Sequence, residues 1–445
     1  MTGREKDWFS KELSRREVLK IAGTAALAGM MGPLAFSCMG HPVVKTPNLD
    51  RIAREGALFR NTFVTTSLCS PSRASFLTGQ YAHTHGVVTN HTMWNDRNVT
   101  FLELVKKAGY DTAFIGKWHM PGNRLPQLRG VDEFITFTKE GGQGVYYDCP
   151  LIINGIETPR PGKYITNDLT DFALRFIEKK RKNPFCLYLS HKAVHFGFRP
   201  PEHLKTLYEG QDLHLPPESD TWATLTNNNI FVGAPLPMHM LYRNYLRVVA
   251  SVDEQVGRLL GLLERMGELD NTVIVYAGDN GHLFGEHGLY DKRNAYEESM
   301  RIPLLIRYPK LVGRTGPRDQ MVLNIDLAPT LLEIIGAEIP SFMQGRSMAP
   351  FLKNPSLEGR DAFLYEHFPV FPIPIPGITA VRTKDFKYIR YQKGTWRDQL
   401  FDLRNDPREL HNIIGTKAGK EALPDLQKRL EQLKEETRYR FFTHG

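Results

Sequence analysis

Cysteine is scarce in this chain. Cys38, Cys69, Cys149 and Cys186 are the only four in 445 residues. Four are too few for a disulfide-stapled scaffold, and no Cys-x-x-Cys pair suggests a zinc site. Long apolar runs are lacking too, so no segment offers the roughly 20 strongly apolar residues of a spanning helix. Charge of one sign is not in excess. Lys plus Arg is 57 against 49 for Asp plus Glu, a net +8 that is a mild bias over this length. Without a basic patch or motif it does not point to nucleic acid. With 41% hydrophobic and 24% charged residues, disorder, collagen and coiled coil are set aside. Acidic residues are missing altogether between Glu17 and Asp50. What remains is an ordinary globular composition, long enough for one large domain with a smaller companion.

The N-terminal segment reads as an address. Ser14-Arg15-Arg16-Glu17-Val18-Leu19-Lys20 sets a twin arginine before an uncharged, Ala/Gly-rich stretch from Ile21 to Ser37. This order resembles a bacterial twin-arginine export signal, with a buried N-terminal helix as the alternative. It implies the twin-arginine export machinery as a partner and a periplasmic or extracellular protein. Leu34-Ala35-Phe36-Ser37-Cys38 loosely resembles a lipoprotein cleavage box, which leaves a lipid anchor at Cys38 open. Bulky Phe36 stands where such boxes have a small residue.

Beyond it, helical and strand patterns alternate. Helices are expected over Leu102–Ala108, Asn167–Lys182 (capped by Thr166 or Asn167), Met240–Met266 and Pro329–Ile335, the last stopped by Gly336. Strands are expected at Thr112–Ile115, Pro184–Leu189, Thr272–Ala277, Pro303–Tyr308 and Val322–Ile325. Alternation of this kind predicts an α/β fold, a mostly parallel sheet sandwiched by helices with its chemistry at the carboxyl ends of strands. After the Pro-rich stretch Pro369–Pro376, short strands at Ala380–Arg382 and Phe386–Tyr391 and a charged helix at Leu423–Thr437 predict a smaller α+β subdomain.

Four short segments carry reactive side chains. Cys69-Ser70-Pro71-Ser72-Arg73 holds a cysteine that, taken alone, is more often a buried structural residue. Gly116-Lys117-Trp118-His119 follows a strand, although Lys-x-His is also a common surface pairing. His191-Lys192-Ala193-Val194-His195 follows another strand, with a structural histidine as the plainer reading, above all for His191. Gly278-Asp279-Asn280-Gly281-His282 runs on to Gly285-Glu286-His287 and to Asp291-Lys292-Arg293. A carboxylate and an amide oxygen at a strand end are hard ligands that suit Ca²⁺ or Mg²⁺ better than zinc. A plain Asn-Gly turn is the alternative, and Glu286 and His287 read as structural.

Together the four segments resemble the formylglycine-dependent type I sulfatases of the alkaline-phosphatase superfamily. Thr65–Leu68 and Ala74–Tyr81 flank the Cys-x-Pro-x-Arg signature as in that family. Val44-Lys45-Thr46-Pro47-Asn48-Leu49-Asp50 and the tail Leu400-Phe401-Asp402-Leu403…Asp406-Pro407 extend the likeness from Met39 to the C-terminus. The resemblance implies an alkaline-phosphatase-like fold and domains at 1–38 (signal), 39–352 (catalytic) and 353–445 (C-terminal). It also implies oxidation of Cys69 to formylglycine by a formylglycine-generating enzyme. A hydrated aldehyde has two hydroxyls on one carbon, one to attack sulfur and one whose loss of a proton expels sulfate, an exit that serine lacks. Arg73, Lys117 and Lys292 are implied to bind sulfate, His119 to take the proton that releases it, and His195 to act as general acid. Cys69 (as formylglycine), Asp279 and Asn280 are the implied metal ligands.

Gly142-Gln143-Gly144-Val145-Tyr146-Tyr147-Asp148 and Asn154-Gly155 resemble carbohydrate sulfatases, including the glucosamine-6-sulfatase group. A sulfated carbohydrate is thus the implied substrate, with aryl sulfate as a simpler one. A phosphoester or phosphonate hydrolase of the same superfamily and a non-catalytic sulfated-glycan-binding protein are the rival readings. One departure stands out. The family opens with an apolar strand ending in two metal-binding aspartates, and the acid-free stretch from Glu17 to Asp50 lacks them. The first strand is therefore expected to be absent and the metal weakly bound.

Overall fold

The computed structural model describes residues 20–28, 36–121, 128–215, 238–370, 373, 375–392 and 396–441. Arg15 and Arg16 and the stretch 29–35 lie outside the described residues. The strands are β1 (Lys20–Ala28), β2 (Ala57–Phe63), β3 (Asp111–Gly116), β4 (Glu133–Thr136), β5 (Leu151–Ile153), β6 (Ile156–Thr158), β7 (Phe185–Ser190), β8 (Thr272–Gly278), β9 (Leu283–Phe284), β10 (Tyr290–Asp291), β11 (Leu304–Arg307), β12 (Gly316–Leu323), β13 (Ala362–His367), β14 (Gly377–Thr383), β15 (Phe386–Gln392) and β16 (Gln399–Asp402). The principal helices are α1 (Pro47–Glu55), α2 (Cys69–Thr78), α3 (Phe101–Lys107), α4 (Ile165–Glu178), α5 (Met238–Arg265), α6 (Leu327–Ile334) and α7 (Lys417–Thr437).

The main sheet has the order β12-β2-β11-β8-β1-β7-β3-β4-β5-β6. β8, β1, β7, β3 and β4 run parallel, and β11 is antiparallel to both of its neighbours. Strands at the centre alternate perfectly between two cores. In β7, Phe185, Leu187 and Leu189 join a cluster under α1, α4 and α5, while Cys186 and Tyr188 join one under α2, α3 and α6. β8 does the same, with Ile274 and Tyr276 on the first face and Val273, Val275 and Ala277 on the second. A strand buried on both faces reads as a continuous apolar run, which is why both were legible in the sequence.

One expectation fails here. The central place between β7 and β8 is not empty; β1, drawn from the segment read as an export address, fills it. It pairs along β8 from Lys20 opposite Thr272 to Ala28 opposite Gly278, with a register shift between Ala22 and Ala26. Buried neighbours demand partners for their backbone groups, and β1, uncharged beyond Lys20, meets that demand with its backbone. The paired aspartates stay absent, because the sequence beyond Ala28 carries no acid before Asp50.

Smaller differences concern boundaries. α4 starts at Ile165 after Tyr164, so neither Thr166 nor Asn167 caps it; the Thr170 hydroxyl instead donates to the Thr166 carbonyl. The strand expected at Val322–Ile325 is the longer β12, and Asn324–Asp326 turns into a 3-10 helix. α7 begins at Lys417, six residues before the expected start, because Thr416 caps it and Pro424 is tolerated within it. β13 to β16 form a separate antiparallel sheet packed on α7. Buried Lys387 on β15 ties this sheet to the part built on the main sheet, 2.9 Å from Glu297, and lies 2.6 Å from Glu409. No helix among the described residues is long and apolar enough to cross a membrane.

Candidate active site

The carboxyl ends of β1, β3, β7 and β8 lie side by side, and the reactive segments follow three of them directly. Gly116 ends β3 at φ +116°, and a Cβ there would stand 1.8 Å from the Ser190 carbonyl oxygen. Only glycine allows that approach, which lets the Lys117 amide donate to Ser190 O at 2.6 Å and turns the lysine into the site. Gly281 plays the same part after β8, since a Cβ there would meet Glu298 O at 1.9 Å. Cys69 is the first residue of α2, fully buried and in no disulfide, at the positive end of the helix; the next amide, of Ser70, is already taken by Asn90 Oδ1 at 3.0 Å.

Arg73, one turn further along α2, is almost fully buried and holds Asp279 through Nε at 2.9 Å and Nη2 at 2.7 Å. Its Nη1 donates to the Lys117 carbonyl at 2.9 Å and to the Ser190 hydroxyl. β2-side, β3, β7 and β8 chemistry is thereby locked together by one guanidinium. Lys117 Nζ donates to Gln143 Oε1 at 2.7 Å. Burial lowers the Lys117 pKa to about 7, opposed by Cys69 and aided by Arg73. Lys292 is buried but its pKa is raised: desolvation, the largest influence, lowers it, and Asp291, 3.3 Å away, together with Cys69 and Asp279 more than offsets that.

Both catalytic histidine candidates sit in this cationic field. Burial first, then Lys117, pushes the pKa of His119 and of His195 well below the ordinary imidazole value. His119 faces Ser70 Oγ at 3.3 Å through Nδ1. His195 is clamped by Tyr146, whose hydroxyl donates to His195 O at 2.8 Å and accepts from its N–H at 3.1 Å. His191 is not in this set. It is fully buried, bonds Thr170 at 3.0 Å and has its pKa lowered to about 4 by burial. Glu286 accepts from the Phe284 amide at 2.5 Å, and His287 stacks on Tyr296 at 3.8 Å, both structural tasks.

Sequence reasoning passed over Lys192, Gln143 and Tyr146 as actors. Lys192 is buried, lies 4.8 Å over the Tyr146 ring, and has its pKa lowered to about 8 by desolvation. The sequence marks Gln143 and Tyr146 only as part of the Gly142–Asp148 resemblance and gives them no role; their contacts with Lys117 and His195 are visible only in the fold. Gln143 and Tyr146 stand about 50 residues before His195 in the chain. His282 and His367 are further buried rings with no hydrogen-bond partner for either nitrogen among the described residues. Neither bears a sequence mark of function beyond its type.

The metal question turns on oxygen count. Asn280 Oδ1 is buried with no partner among the described residues, as a metal ligand would be. Asp279, however, is already ion-paired with Arg73, and the acid-free N-terminal stretch supplies no second carboxylate. A divalent cation that prefers six to eight oxygens does not find a complete shell here.

A family model described as Sulfatase matches residues 28–337, and one described as "N-sulphoglucosamine sulphohydrolase, C-terminal" matches residues 285–436. An N-acetylglucosamine-6-O-sulfatase of Bacteroides thetaiotaomicron is 34% identical, with 92% of this chain and 84% of the relative covered. A solved structure in complex with its substrate D-glucosamine-2-N,6-O-disulfate superposes with TM-score 0.87 at 31% identity, covering 95% of this chain and 98% of the other. A phosphonate monoester hydrolase of Agrobacterium radiobacter shares the fold, with TM-score 0.76 at 22% identity over 92% and 94% of the two chains.

Proposed function

The chain belongs to the sulfatase family and is a sulfuric ester hydrolase acting on carbohydrate; from that premise we propose that its substrate is a 6-sulfated amino sugar and that Cys69, as formylglycine, is its nucleophile. The observation that carries this is the gathering of Cys69, Arg73, Lys117, His119, His195 and Lys292 into one buried cationic cluster. The substrate choice is supported by the relatives' amino-sugar sulfates and by Tyr146, which clamps His195 from the Gly142–Asp148 segment.

The family generally uses a formylglycine and a divalent metal. A hydrated aldehyde at position 69 would supply one hydroxyl to attack sulfur and a second to let sulfate go. The chain's own residues do the rest. Lys117, Lys292 and Lys192 bind and neutralise the sulfate oxygens in a site largely closed to water, where such charges act strongly. Arg73 positions the walls, since its donors are spent on Asp279, Lys117 O and Ser190. His119 is neutral near pH 7 and so able to accept the proton that frees sulfate. His195 is neutral in the empty site too; an arriving sulfate ester opposes the lysine field and lets it hold the proton it gives to the leaving oxygen. A Ca²⁺ would be held by Asp279, Asn280 and an oxygen of formylglycine at position 69, three of the six to eight ligands it prefers, and no step here depends on it.

We also propose that the chain is a substrate of a formylglycine-generating enzyme and that the twin arginine directs export, with β1 retained. Release of sulfate from N-acetylglucosamine 6-sulfate, measured beside aryl sulfate and aryl phosphate, tests the reading. Sulfate release exceeding phosphate release supports it. Faster phosphate release, or sugar binding without turnover, refutes it.

A further inference from the structure

A second cationic cavity lies at the far end of the helix that starts with Cys69. α2 has ten residues, about 15 Å of helix, and the chain leaving it at Gln80 and Tyr81 forms the cavity floor. The cavity measures about 680 Å³, a size that suits a ligand of several rings rather than one small ion. It opens where the catalytic part meets the end of α7.

Its charge is one-sided. Arg346, Arg438 and Arg440 line it and are exposed, with no ion pair to any carboxylate among the described residues. Arg360 also lines it but is spent on Asp326 at 2.8 Å. Glu436, the acid on its wall, is occupied by Arg429 at 2.9 Å. The walls are braced. Gln344 accepts from the Tyr81 amide at 2.9 Å and donates to the Thr437 carbonyl at 2.9 Å, bridging the two parts of the molecule. The Arg346 amide is pinned to Asp326 at 2.7 Å, and Arg438 caps α7 in the left-handed region. Three exposed guanidinium groups held on this frame can each donate a fork of N–H bonds to two oxygens of a tetrahedral sulfate group, and a row of sulfate esters brings one negative charge per group to meet them.

We propose that this cavity binds a sulfated stretch of an oligosaccharide, holding one part of a chain while sulfate is removed from another part at Cys69 or from another chain. The ligand class rests on the sulfated-sugar reading above; the cationic cavity itself does not. Free inorganic sulfate shares the recognition chemistry and serves as the control.

The test uses the full chain. In a Cys69→Ala background, the dissociation constant of a sulfated amino-sugar tetrasaccharide is measured with and without Arg346→Glu, Arg438→Glu and Arg440→Glu together. Hydrogen exchange across residues 341–346 and 436–441 is followed in parallel. The expected result is at least a tenfold loss of affinity on charge reversal. Tetrasaccharide protection of those residues should vanish with it, while inorganic sulfate protects them far less. With Cys69 restored, the triple variant should cleave the sulfated monosaccharide within twofold of the unsubstituted chain. Unchanged tetrasaccharide affinity, or equal protection by inorganic sulfate, overturns the proposal. If the unsubstituted chain cleaves no sulfated monosaccharide, the catalytic reading fails while the exchange and affinity measurements still report on the cavity.

Discussion

Removing residues 1–38 takes β1 out of the middle of the main sheet. Six register pairs along β8 and one along β7 are lost. At about 1 kcal/mol net for each backbone hydrogen bond, and 1–3 kcal/mol for each buried group left unmet, the loss reaches about 5–10 kcal/mol. Whole domains are stable by about 5–15 kcal/mol. β7 and β8 are buried along their whole length, so water cannot take over the vacated positions without opening both cores. The chain starting at Met39 is therefore expected to lose its cooperative thermal transition, or to melt at least 10 °C lower, by circular dichroism and calorimetry. A synthetic peptide spanning residues 18–30, added in excess, should restore part of that stability, because it binds only the folded form. Equal melting temperatures for the two chains would refute the strand assignment and return residues 20–28 to the role of a removable address.

Four further outcomes follow from the site. Inhibition by inorganic sulfate should be full below about pH 7 and weaken as pH rises through it, because Lys117 loses its proton there; Lys117→Arg should carry the binding to higher pH, and a flat profile would contradict the role. Asp279→Asn leaves Arg73 buried beside a neutral partner and should cost about 3–5 kcal/mol in denaturant unfolding; no change would show that the pair is not structurally important. Gly116→Ala drives a Cβ into the Ser190 carbonyl and displaces Lys117, so kcat should fall about 100-fold or the chain should fail to fold; normal turnover would contradict the geometry. Calorimetric titration should find Ca²⁺ affinity no tighter than about 10⁻⁴ M, and tight binding would show a ligand set beyond position 69, Asp279 and Asn280.

The sheet was legible where residues carried their own signal. Thr272–Ala277 and Pro184–Leu189 are continuous apolar runs, and both are central strands. β1 was not legible, because Ala and Gly in Lys-Ile-Ala-Gly-Thr-Ala-Ala-Leu-Ala have poor strand propensity and a twin arginine precedes them. Its strand state comes from the vacancy between β7 and β8, a tertiary demand no local pattern records. Six catalytic candidates, Cys69, Arg73, Lys117, His119, His195 and Lys292, could be named from the sequence because the short segments that hold them resemble sulfatase motifs. Lys192 was given no role because only burial and the Tyr146 ring mark it, and Gln143 was read only as part of the Gly142–Asp148 resemblance because its contact with Lys117 exists only in the fold. The low pKa of His195 was equally invisible, since it arises from burial first and then from lysines brought together by three different loops.

The nucleophile decides the account. Mass spectrometry of the peptide containing Cys69, from protein made in a host with a formylglycine-generating enzyme, should show the aldehyde in place of the thiol. The same preparation should release sulfate from N-acetylglucosamine 6-sulfate, and Cys69→Ala should release none. An unmodified thiol in a preparation that still turns over, or turnover that survives Cys69→Ala, would contradict it.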